Sequence, residues 1–530
     1  MMNKTTNYNH IPKEKFELVN HGERISDKKF EDKPIGYLKD AWLRFRKNKS
    51  SIVAAIIILC IVLFSLVTPL AIQNYDSTFM DVFYAKKPPR NSVLSNIGIA
   101  DGGINRDFSD RGLMKAIAIG MGAEDREGTG LVTLSQGLES PYQPMLHIGE
   151  GKEVSEIKGA KPKVVYPGRI ETYLEVGFLY RSIPQSEYQD ILAWQEETGL
   201  QVLYPLVEDN EYNMDATDAN NWYKADRRGT PVITTGGQDD TLKLDFEDGA
   251  LTLEDNYKRD ADGNPVYFEY TGGGNHDTAQ YKVRVLYYNY YQYRNGFTPQ
   301  YLLGTDSQGY DLALRLAGGI RLSLMLSVCV SIINLLIGAI YGAIEGYYGG
   351  TVDIAMERVA DILANVPFVV VATLFQIHLA GKVGAIPSLL FAFVLTGWIG
   401  IASRTRTQFY RFKGQEYVLA ARTLGARDRR IIWKHIFPNS LGTLITSSVL
   451  IIPGTIGSES MLSYLGIVKL GTAEVTSLGN LLSDASAVWT NYPHLLLFPA
   501  IVLSLLMICF NLFGNGLRDA FNPSLRGVEE

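Results

Sequence analysis

The sequence predicts an α-helical integral membrane protein with six transmembrane helices and a large, mostly β (α+β) extracytoplasmic insertion between helices 1 and 2. Six apolar segments are long enough to cross about 30 Å of hydrocarbon, which takes about 20 helical residues. Between the first two lies a long polar stretch without any such segment. The chain has 530 residues, of which 46% are hydrophobic and 20% are charged. It is therefore too apolar to be disordered and too long for one ordinary soluble domain.

The predicted spans lie near residues 51–72, 322–344, 359–380, 383–403, 440–458 and 493–513. The first span follows about 50 polar residues, is too long for a signal-peptide core and lacks a convincing cleavage site. We therefore predict that it is retained as an anchor, with residues 1–50 as a cytoplasmic segment. The other five spans belong to a transmembrane domain over residues 304–530.

Basic residues fix the predicted orientation in the membrane. Arg44, Arg46, Lys47 and Lys49 precede the first span, and nine Lys/Arg lie in the loop 404–438. Cytoplasmic loops carry such an excess. Both termini are then cytoplasmic, and residues 73–303 are extracytoplasmic. The net charge of −6 gives no reason to expect a nucleic-acid partner, because residues 73–303 hold 35 acidic against 22 basic side chains and the basic excess lies beside the membrane.

The insertion alternates apolar and polar residues in short stretches, such as 241–257 and 264–274, with Asp-Gly and Gly-Gly turn signals between them. We predict strands there, a helix near 185–198, and a strand over 282–294 that leads back to the membrane. Asp260 to Asn264 is similar to the start of a calcium loop, but position twelve of that loop would be Thr271 rather than Glu. A hairpin turn is the favoured interpretation.

No motif predicts an enzyme, a metal site or a bound cofactor. The sequence has no G-x-x-x-x-G-K-[ST] phosphate loop, no His/Cys cluster with zinc spacing and no G-x-S-x-G elbow. Cys60, Cys329 and Cys509 all fall in apolar segments, so the insertion cannot be a disulfide scaffold. Any ATP would be used by partner subunits.

The loop EYVLAARTLGARDRRIIWKHIFPN at 416–439 predicts two short helices. Apolar side chains recur at i, i+3, i+4 and i+7, Gly425 is a plausible C-cap, Asp428 can cap the second helix, and Pro438 ends it. The apolar face of the first helix consists of Tyr417, Ala420, Ala421 and Leu424. On periodicity alone, an interfacial membrane helix and a helix that docks on a cytosolic partner are equally favoured.

This loop resembles the EAA loop of ABC-importer permeases, with Ala420, Ala421, Gly425 and Pro438 at the family spacing. Among them the chain is similar to the dipeptide/oligopeptide/nickel permeases, and specifically to C-type oligopeptide permease subunits. The resemblance also rests on WLRFRKNKS, GTDSQGYDLALRLAGGIRLSL, SESMLSYLGI and FNLFGNGLRDAFNPSLRG, which begin at residues 42, 304, 458 and 510. It covers about half of the chain.

Several residues depart from the family pattern. Leu419 stands where the family often has a Glu, although Glu416 matches a second family carboxylate. The residues that replace the usual Arg, Ser, Asp and Asp are Tyr310, Leu314, Asn515 and Asn522. The insertion of about 230 residues is the largest departure, because most members have a short connection there.

The resemblance implies a permease subunit of an ATP-driven importer of oligopeptides in a bacterial plasma membrane. Its implied partners are a second homologous permease, two cytosolic ATP-binding subunits, an extracellular substrate-binding lipoprotein, the peptide and membrane lipid. The residues implied to couple to the ATPases are Glu416, Tyr417, Ala420, Ala421, Leu424, Gly425 and Pro438. The alternative is a membrane receptor or scaffold whose ectodomain binds an extracellular ligand without transport.

Two groups of polar residues lie in or beside the spans. The amides and imidazole of Asn334, Gln376, His378 and Asn511 either line a peptide path or, as we favour, hydrogen-bond neighbouring helices. Ion pairs are expected at the entrance of the second span among Asp306, Asp311, Arg315 and Arg321. For the insertion, a docking platform for a lipoprotein and a structural collar against the partner permease stay open.

Overall fold

The computed structural model describes residues 37–95, 100–154, 163–207, 212–214, 222–225, 231–232, 244–247, 250–253, 255–272, 279–471 and 476–521. The α-helices among them are α1 (Tyr37–Lys47), α2 (Lys49–Ala71), α3 (Ser92–Ser95), α4 (Asp110–Glu124), α5 (Leu134–Glu139), α6 (Gln185–Thr198), α7 (Tyr287–Asn295), α8 (Leu312–Tyr348), α9 (Gly350–Ala364), α10 (Phe368–His378), α11 (Ala380–Val383), α12 (Ala385–Gly397), α13 (Ile399–Lys413), α14 (Glu416–Thr423), α15 (Asp428–Arg430), α16 (Phe437–Val449), α17 (Ile451–Tyr464), α18 (Leu478–Ser486) and α19 (Pro493–Phe521).

The described strands are β1 (Gly103–Phe108), β2 (Met145–Ile148), β3 (Lys152–Val154), β4 (Lys163–Glu171), β5 (Phe178–Pro184), β6 (Leu203–Tyr204), β7 (Tyr212–Met214), β8 (Trp222–Ala225), β9 (Pro231–Val232), β10 (Leu244–Glu247), β11 (Ala250–Leu253), β12 (Phe268–Gly272) and β13 (Gln280–Leu286). Short 3-10 turns cover Val82–Tyr84 and Leu174–Val176, and a π-helical segment covers Ile431–Ile436.

Five described helices are long and apolar enough to cross a membrane, and a bent pair makes up to six. The five are Lys49–Ala71, Leu312–Tyr348, Ala385–Lys413, Asp428–Tyr464 and Pro493–Phe521. All extend beyond their predicted bounds on at least one side. Most of the loop 404–438 is therefore helical, because the flanking helices continue past the apolar core of each span.

The third predicted span, 359–380, is not one straight helix. Helices α9 and α10 meet at an angle of 73°. The break falls at Pro367, which has no backbone N–H and disfavours helical geometry in the residue before it. The sequence predicts the apolar composition of this segment but not its bend.

Small residues bring α8 and α13 into close contact. Gly338, Gly342 and Gly346 lie four residues apart on one side of α8. A Cβ added at Gly342 would lie 2.1 Å from the carbonyl oxygen of Ala402, so this position requires glycine. Helices in membranes use such small residues to approach backbone to backbone.

The inserted domain, residues 73–303, is α+β in its described part. One four-stranded sheet has the order β1-β4-β2, with β3 also paired to β4, and a second has the order β12-β13-β5, with β6 also paired to β13. Two smaller sheets have the orders β7-β8-β9 and β10-β11. All described strand pairs are antiparallel. Helix α6 confirms the helix predicted near 185–198. The domain thus contains more helix than predicted.

The strand predicted over 282–294 is half wrong. Strand β13 ends at Leu286, and helix α7 follows at once. Tyr287, Tyr290 and Tyr291 recur at helical spacing and are all buried in the same aromatic core, so burial of this face favours helix over strand. These tyrosines therefore fill the interior of the domain.

The hairpin predictions are confirmed where residues are described. Strands β10 and β11 pair within 241–257, part of which lies outside the described residues. The carboxylate of Asp260 accepts backbone hydrogen bonds from Asp262 at 3.0 Å and Asn264 at 2.8 Å, and Gly263 has φ +84°. These bonds make a tight turn, as the sequence predicts.

Candidate partner-docking surface

Helix α14 forms a short, separately capped element between two spans. Its last turn is closed by Gly425, whose φ is +80° and whose N–H bonds the carbonyl of Arg422 at 3.0 Å. The N–H of Ala426 bonds the carbonyl of Ala421 at 3.0 Å. This pair of bonds is the Schellman arrangement, which satisfies two carbonyls that the helix end leaves free. Gly425 therefore terminates α14, as predicted.

Val418 anchors α14 to the rest of the molecule. Its side chain is fully buried against Phe409, and this cluster continues into the π-helical segment. The other buried members are Ala343, Tyr347, Ile431, Ile432 and Ile436. The sequence did not single out Val418, because this residue lies between members of the predicted apolar stripe.

The predicted apolar face of α14 points away from this cluster. Leu424 is 87% exposed, Tyr417 is 41% exposed, and Ala420 is also exposed, whereas Ala421 is half-buried. Leu419, which departs from the family pattern, is 47% exposed, and Glu416 is exposed beside it. The structure thus places an uncovered apolar surface on the helix that the sequence singled out.

The Tyr417 side chain is partly covered by neighbouring residues of the chain. Its hydroxyl accepts a hydrogen bond from the Asn439 side chain at 3.2 Å. Burial raises the pKa of the Tyr417 hydroxyl above its ordinary value, and the bond from Asn439 opposes that rise. The hydroxyl therefore stays protonated at neutral pH.

Two predictions about the second helix are wrong. Pro438 does not end it, because α16 begins at Phe437 and the span continues to Tyr464. The π-helical segment before Pro438 alters the backbone bonding where the proline has no N–H. Asp428 does not cap the helix either, since it is the first helical residue and makes no capping bond.

Asp428 instead binds Tyr347 at the end of α8. The tyrosine hydroxyl donates to its carboxylate at 2.5 Å and accepts from the Arg422 guanidinium at 3.3 Å. Sequence reasoning missed this link because the residues are 81 and 75 positions apart. These bonds connect the last turn of α14 and the start of α15 to the second span.

Arg406 of α13 binds two further helices on this side. Its guanidinium bonds Asp353 at 2.6 Å and Glu357 at 2.8 Å, both on α9, and lies 3.7 Å from Glu345 on α8. The Tyr410 hydroxyl also donates to Asp353 at 2.6 Å. Helix α13 is therefore tied to α8 and α9 directly before the loop that carries α14.

At the opposite end of α8, the expected ion pairs are only partly found. Asp306 lies 3.4 Å from Arg315, which confirms one pair. Asp311 is instead the helix cap and accepts from the Ala313 N–H and from the Tyr75 hydroxyl, each at 2.6 Å. Among the described residues, Arg321 has no ion-pair partner.

Two of the four replacements for the usual family residues lie at this end of α8. The Tyr310 ring is 4.6 Å from the Arg315 guanidinium, and Leu314 is buried in the first turn of α8. Asn515 lies on α19, and Asn522 lies outside the described residues.

The polar residues of the spans fall into different environments. Gln376 donates to the Ala385 carbonyl at 2.9 Å, Asn511 bonds its own helix at Met507, and His378 is exposed. Asn334 is buried beside Gly397, and its side-chain amide has no hydrogen-bond partner. Bonding to a neighbouring helix segment is thus confirmed for Gln376 only.

Glu459 is buried inside α17. Its carboxylate accepts from Ser323 of α8 and from Ser463, each at 3.0 Å. The sequence could not predict this cluster, because Ser323 and Glu459 are 136 positions apart in the chain.

Comparison with known proteins identifies this architecture. Residues 334–527 match the family described as binding-protein-dependent transport system inner membrane component, and residues 36–89 match the N-terminal TM domain of oligopeptide transport permease C. The oligopeptide permease OppC of Bacillus subtilis is 41% identical over 224 residues, covering 42% of this chain and 72% of the relative. The chain belongs to the family of binding-protein-dependent inner-membrane permeases.

Two other relatives agree. The Haemophilus influenzae OppC is 43% identical over 228 residues, covering 43% of this chain and 71% of the relative. The Lactococcus lactis dipeptide permease DppC is 40% identical over 225 residues, covering 42% of this chain and 64% of the relative. These similarities confirm a multi-pass permease subunit of an ABC importer, which is not itself an enzyme, and disfavour the receptor alternative. The family matches do not reach residues 90–333.

Proposed function

We propose that this chain is the C-type permease subunit of an ATP-driven importer for oligopeptides, and that it forms the translocation pathway with a second homologous permease. The peptide cargo is proposed because relatives at about 40% identity are named oligopeptide and dipeptide permeases. An extracellular lipoprotein would deliver the peptide on the side of the inserted domain. The family's description as binding-protein-dependent supports this partner.

The exposed face of α14 carries the proposal for coupling. Leu424, Tyr417 and Ala420 are uncovered although apolar residues at this spacing are usually buried. We place this face, with Glu416 and Ala421, in a cleft of a cytosolic ATP-binding subunit. The small alanines allow close approach of the partner backbone, and Gly425 fixes the direction in which α14 projects.

A movement of α14 would reach the spans through the contacts already described. Val418 packs on Phe409, and Asp428 binds Tyr347, so displacement of the loop acts on α13 and α8 together. Closure of two ATPase subunits would then shift the spans between outward-open and inward-open states, driven by ATP binding the two states differently. Pro438 lies within the continuous span Asp428–Tyr464 and would not contact the ATP-binding subunit itself.

The orientation follows from the same proposal. The coupling loop, and with it both termini, would lie in the cytoplasm of a bacterial cell, and residues 73–303 would lie outside. The excess of Lys/Arg in the loop 404–438 supports this direction.

Transport in proteoliposomes tests the proposal. The complex is reconstituted with ATP enclosed and with lipoprotein and labelled peptides of two to eight residues outside. We expect ATP-dependent accumulation of peptide that stops when the enclosed ATP is replaced by ADP. Accumulation of nickel, or of no solute, with a fully assembled complex would contradict the peptide assignment.

A further inference from the structure

A cavity of about 1060 Å³ opens where the first span meets the inserted domain. It lies between the end of α2, the end of α7 and the start of α8. Its charged lining residues are Asp76, Arg294 and Arg321, and its remaining polar residues include Gln73, Asn74 and Thr78. The proposed coupling and transport steps make no use of this cavity.

The cavity lies at the level of the lipid headgroups. Helix α2 has 23 residues and is about 35 Å long, so residues just beyond Ala71 reach the polar region of the bilayer. Arg321 directly precedes the apolar run at 322–344 and is at the same level, because it shares the cavity wall with Leu70 and Ile72. An exposed arginine at this depth lies within reach of lipid phosphate groups.

The two arginines have free hydrogen-bonding capacity. Both are exposed, and neither has a carboxylate within 4.0 Å in the part of the chain that the structure describes. One oxygen of the Asp76 carboxylate, Oδ1, accepts from the N–H of Thr78 at 2.8 Å and from the Thr78 hydroxyl at 2.5 Å. With two guanidiniums and one carboxylate, the lining has a formal charge of +1. Guanidinium groups bind phosphate through paired N–H donors.

Apolar side chains continue from the cavity toward the bilayer core. Leu66 is 52% exposed, Val67 is 51% exposed and Leu70 is 72% exposed, all in the last two turns of α2. The site therefore combines a cationic pocket at headgroup level with an uncovered apolar surface directly below it. Free phosphate would satisfy the arginines only, whereas a phospholipid fits both parts.

We propose that this cavity binds the headgroup of an anionic phospholipid, with its phosphate on Arg294 and Arg321 and its acyl chains along α2. The bound lipid fills the gap between α2, α8 and the inserted domain. It thereby stabilises the joint through which this domain is attached to the membrane. The inference needs the membrane-spanning fold but does not depend on which solute is transported.

Native mass spectrometry of the purified complex tests the site. After delipidation in detergent, phosphatidylglycerol or phosphatidylcholine is titrated into wild type, the Arg294→Gln, Arg321→Gln double variant, and the matched control Arg126→Gln. Arg126 is an exposed arginine of the inserted domain that does not line the cavity. We expect phosphatidylglycerol to bind wild type and control equally and the double variant at least about tenfold more weakly, because hydrogen bonds to charged groups are lost.

Three results would overturn the proposal. The first is equal binding of phosphatidylglycerol to wild type and the double variant in correctly assembled complexes. The second is protection from thermal unfolding by inorganic phosphate that equals protection by phosphatidylglycerol, which would leave no role for the apolar surface. The third is efficient cross-linking of a Gln73→Cys variant to another subunit, which would mean that a protein fills the cavity.

Discussion

Truncation of Leu424 separates docking from folding. Its side chain is 87% exposed, so replacing it with Ala removes at most about one-eighth of the roughly 1.5–3 kcal/mol that full burial contributes, or about 0.2–0.4 kcal/mol. If a partner cleft covers this side chain, the same substitution removes up to about 1.5–3 kcal/mol of docking energy. That loss corresponds to about 10- to 100-fold weaker binding of the ATP-binding subunit.

Val418 provides the matched control in the same helix. It is fully buried within the chain, so Val418→Ala leaves a cavity and costs about 2 kcal/mol of folding stability. Thermal unfolding of the purified permease and retention of the ATP-binding subunits on a tagged permease are measured for both variants. We expect Leu424→Ala to lose retention at an unchanged unfolding temperature, and Val418→Ala to unfold at a lower temperature.

Either of two results would refute this reasoning. Full retention of the ATP-binding subunits by Leu424→Ala would mean that the exposed face is not the docking surface. An unfolding temperature for Leu424→Ala as low as that of Val418→Ala would mean that the side chain packs within the permease.

Three further predictions concern the fold. Gly342→Ala should destabilise the permease by about 1–3 kcal/mol, because the added Cβ would lie 2.1 Å from a backbone oxygen of the facing helix. The control Gly400→Ala adds a Cβ with nothing within 4 Å and should not destabilise it. Equal unfolding temperatures of the two variants would contradict this packing. Tyr75→Phe should cost about 1–2 kcal/mol in the same assay, because it leaves the Asp311 carboxylate without a 2.6 Å bond; no change would exclude this link between the inserted domain and α8. Burial raises the pKa of the Asp101 carboxyl, but hydrogen bonds from Arg169 and from the Gly103 N–H lower it by more, so the net pKa is depressed. The stabilisation is therefore present above the unfolded pKa and is lost as pH falls through the folded pKa. Asp101→Asn should lower the unfolding temperature more at pH 7 than at pH 3, and an equal effect at both would contradict this assignment.

The sequence predicted features that depend on local chemistry. Apolar runs located the spans, because the hydrocarbon thickness sets a minimum helix length. Gly425 was found as a helix terminator because only a residue without a side chain adopts φ near +80° at little cost. Helix α6 also followed from a local pattern. The family motifs then indicated the class of protein, which the comparisons confirm.

Features that depend on distant contacts were not predicted. The Tyr347–Asp428 bond joins residues 81 positions apart, and the Glu459–Ser323 bond joins residues 136 apart. The sequence predicted a strand in place of helix α7, because an unbroken run of tyrosines fits the period of a strand and that of a helix equally well. Only the position of the buried core distinguishes the two. For Pro438, local propensity predicted a helix end, but the π-helical segment accommodates the proline within a span.

For α14, the sequence predicted the apolar stripe but neither its exposure nor the residue that anchors the helix. Tyr417, Ala420 and Leu424 form the uncovered face, as a docking surface requires. Val418 was not anticipated, since a residue between two members of an apolar stripe gives no sequence signal of its own. The docking site that we propose is an outward face of α14, and one inward side chain, Val418, holds this helix in place.

The composition of the purified complex tests the central claim most directly. The chain is tagged, extracted in mild detergent, and weighed by native mass spectrometry while ATP hydrolysis is measured with and without peptide and lipoprotein. We predict one copy of this chain, one second permease and two ATP-binding subunits, with hydrolysis stimulated by peptide. Recovery of the chain without any ATP-binding subunit, or with hydrolysis that ignores peptide, would contradict the account.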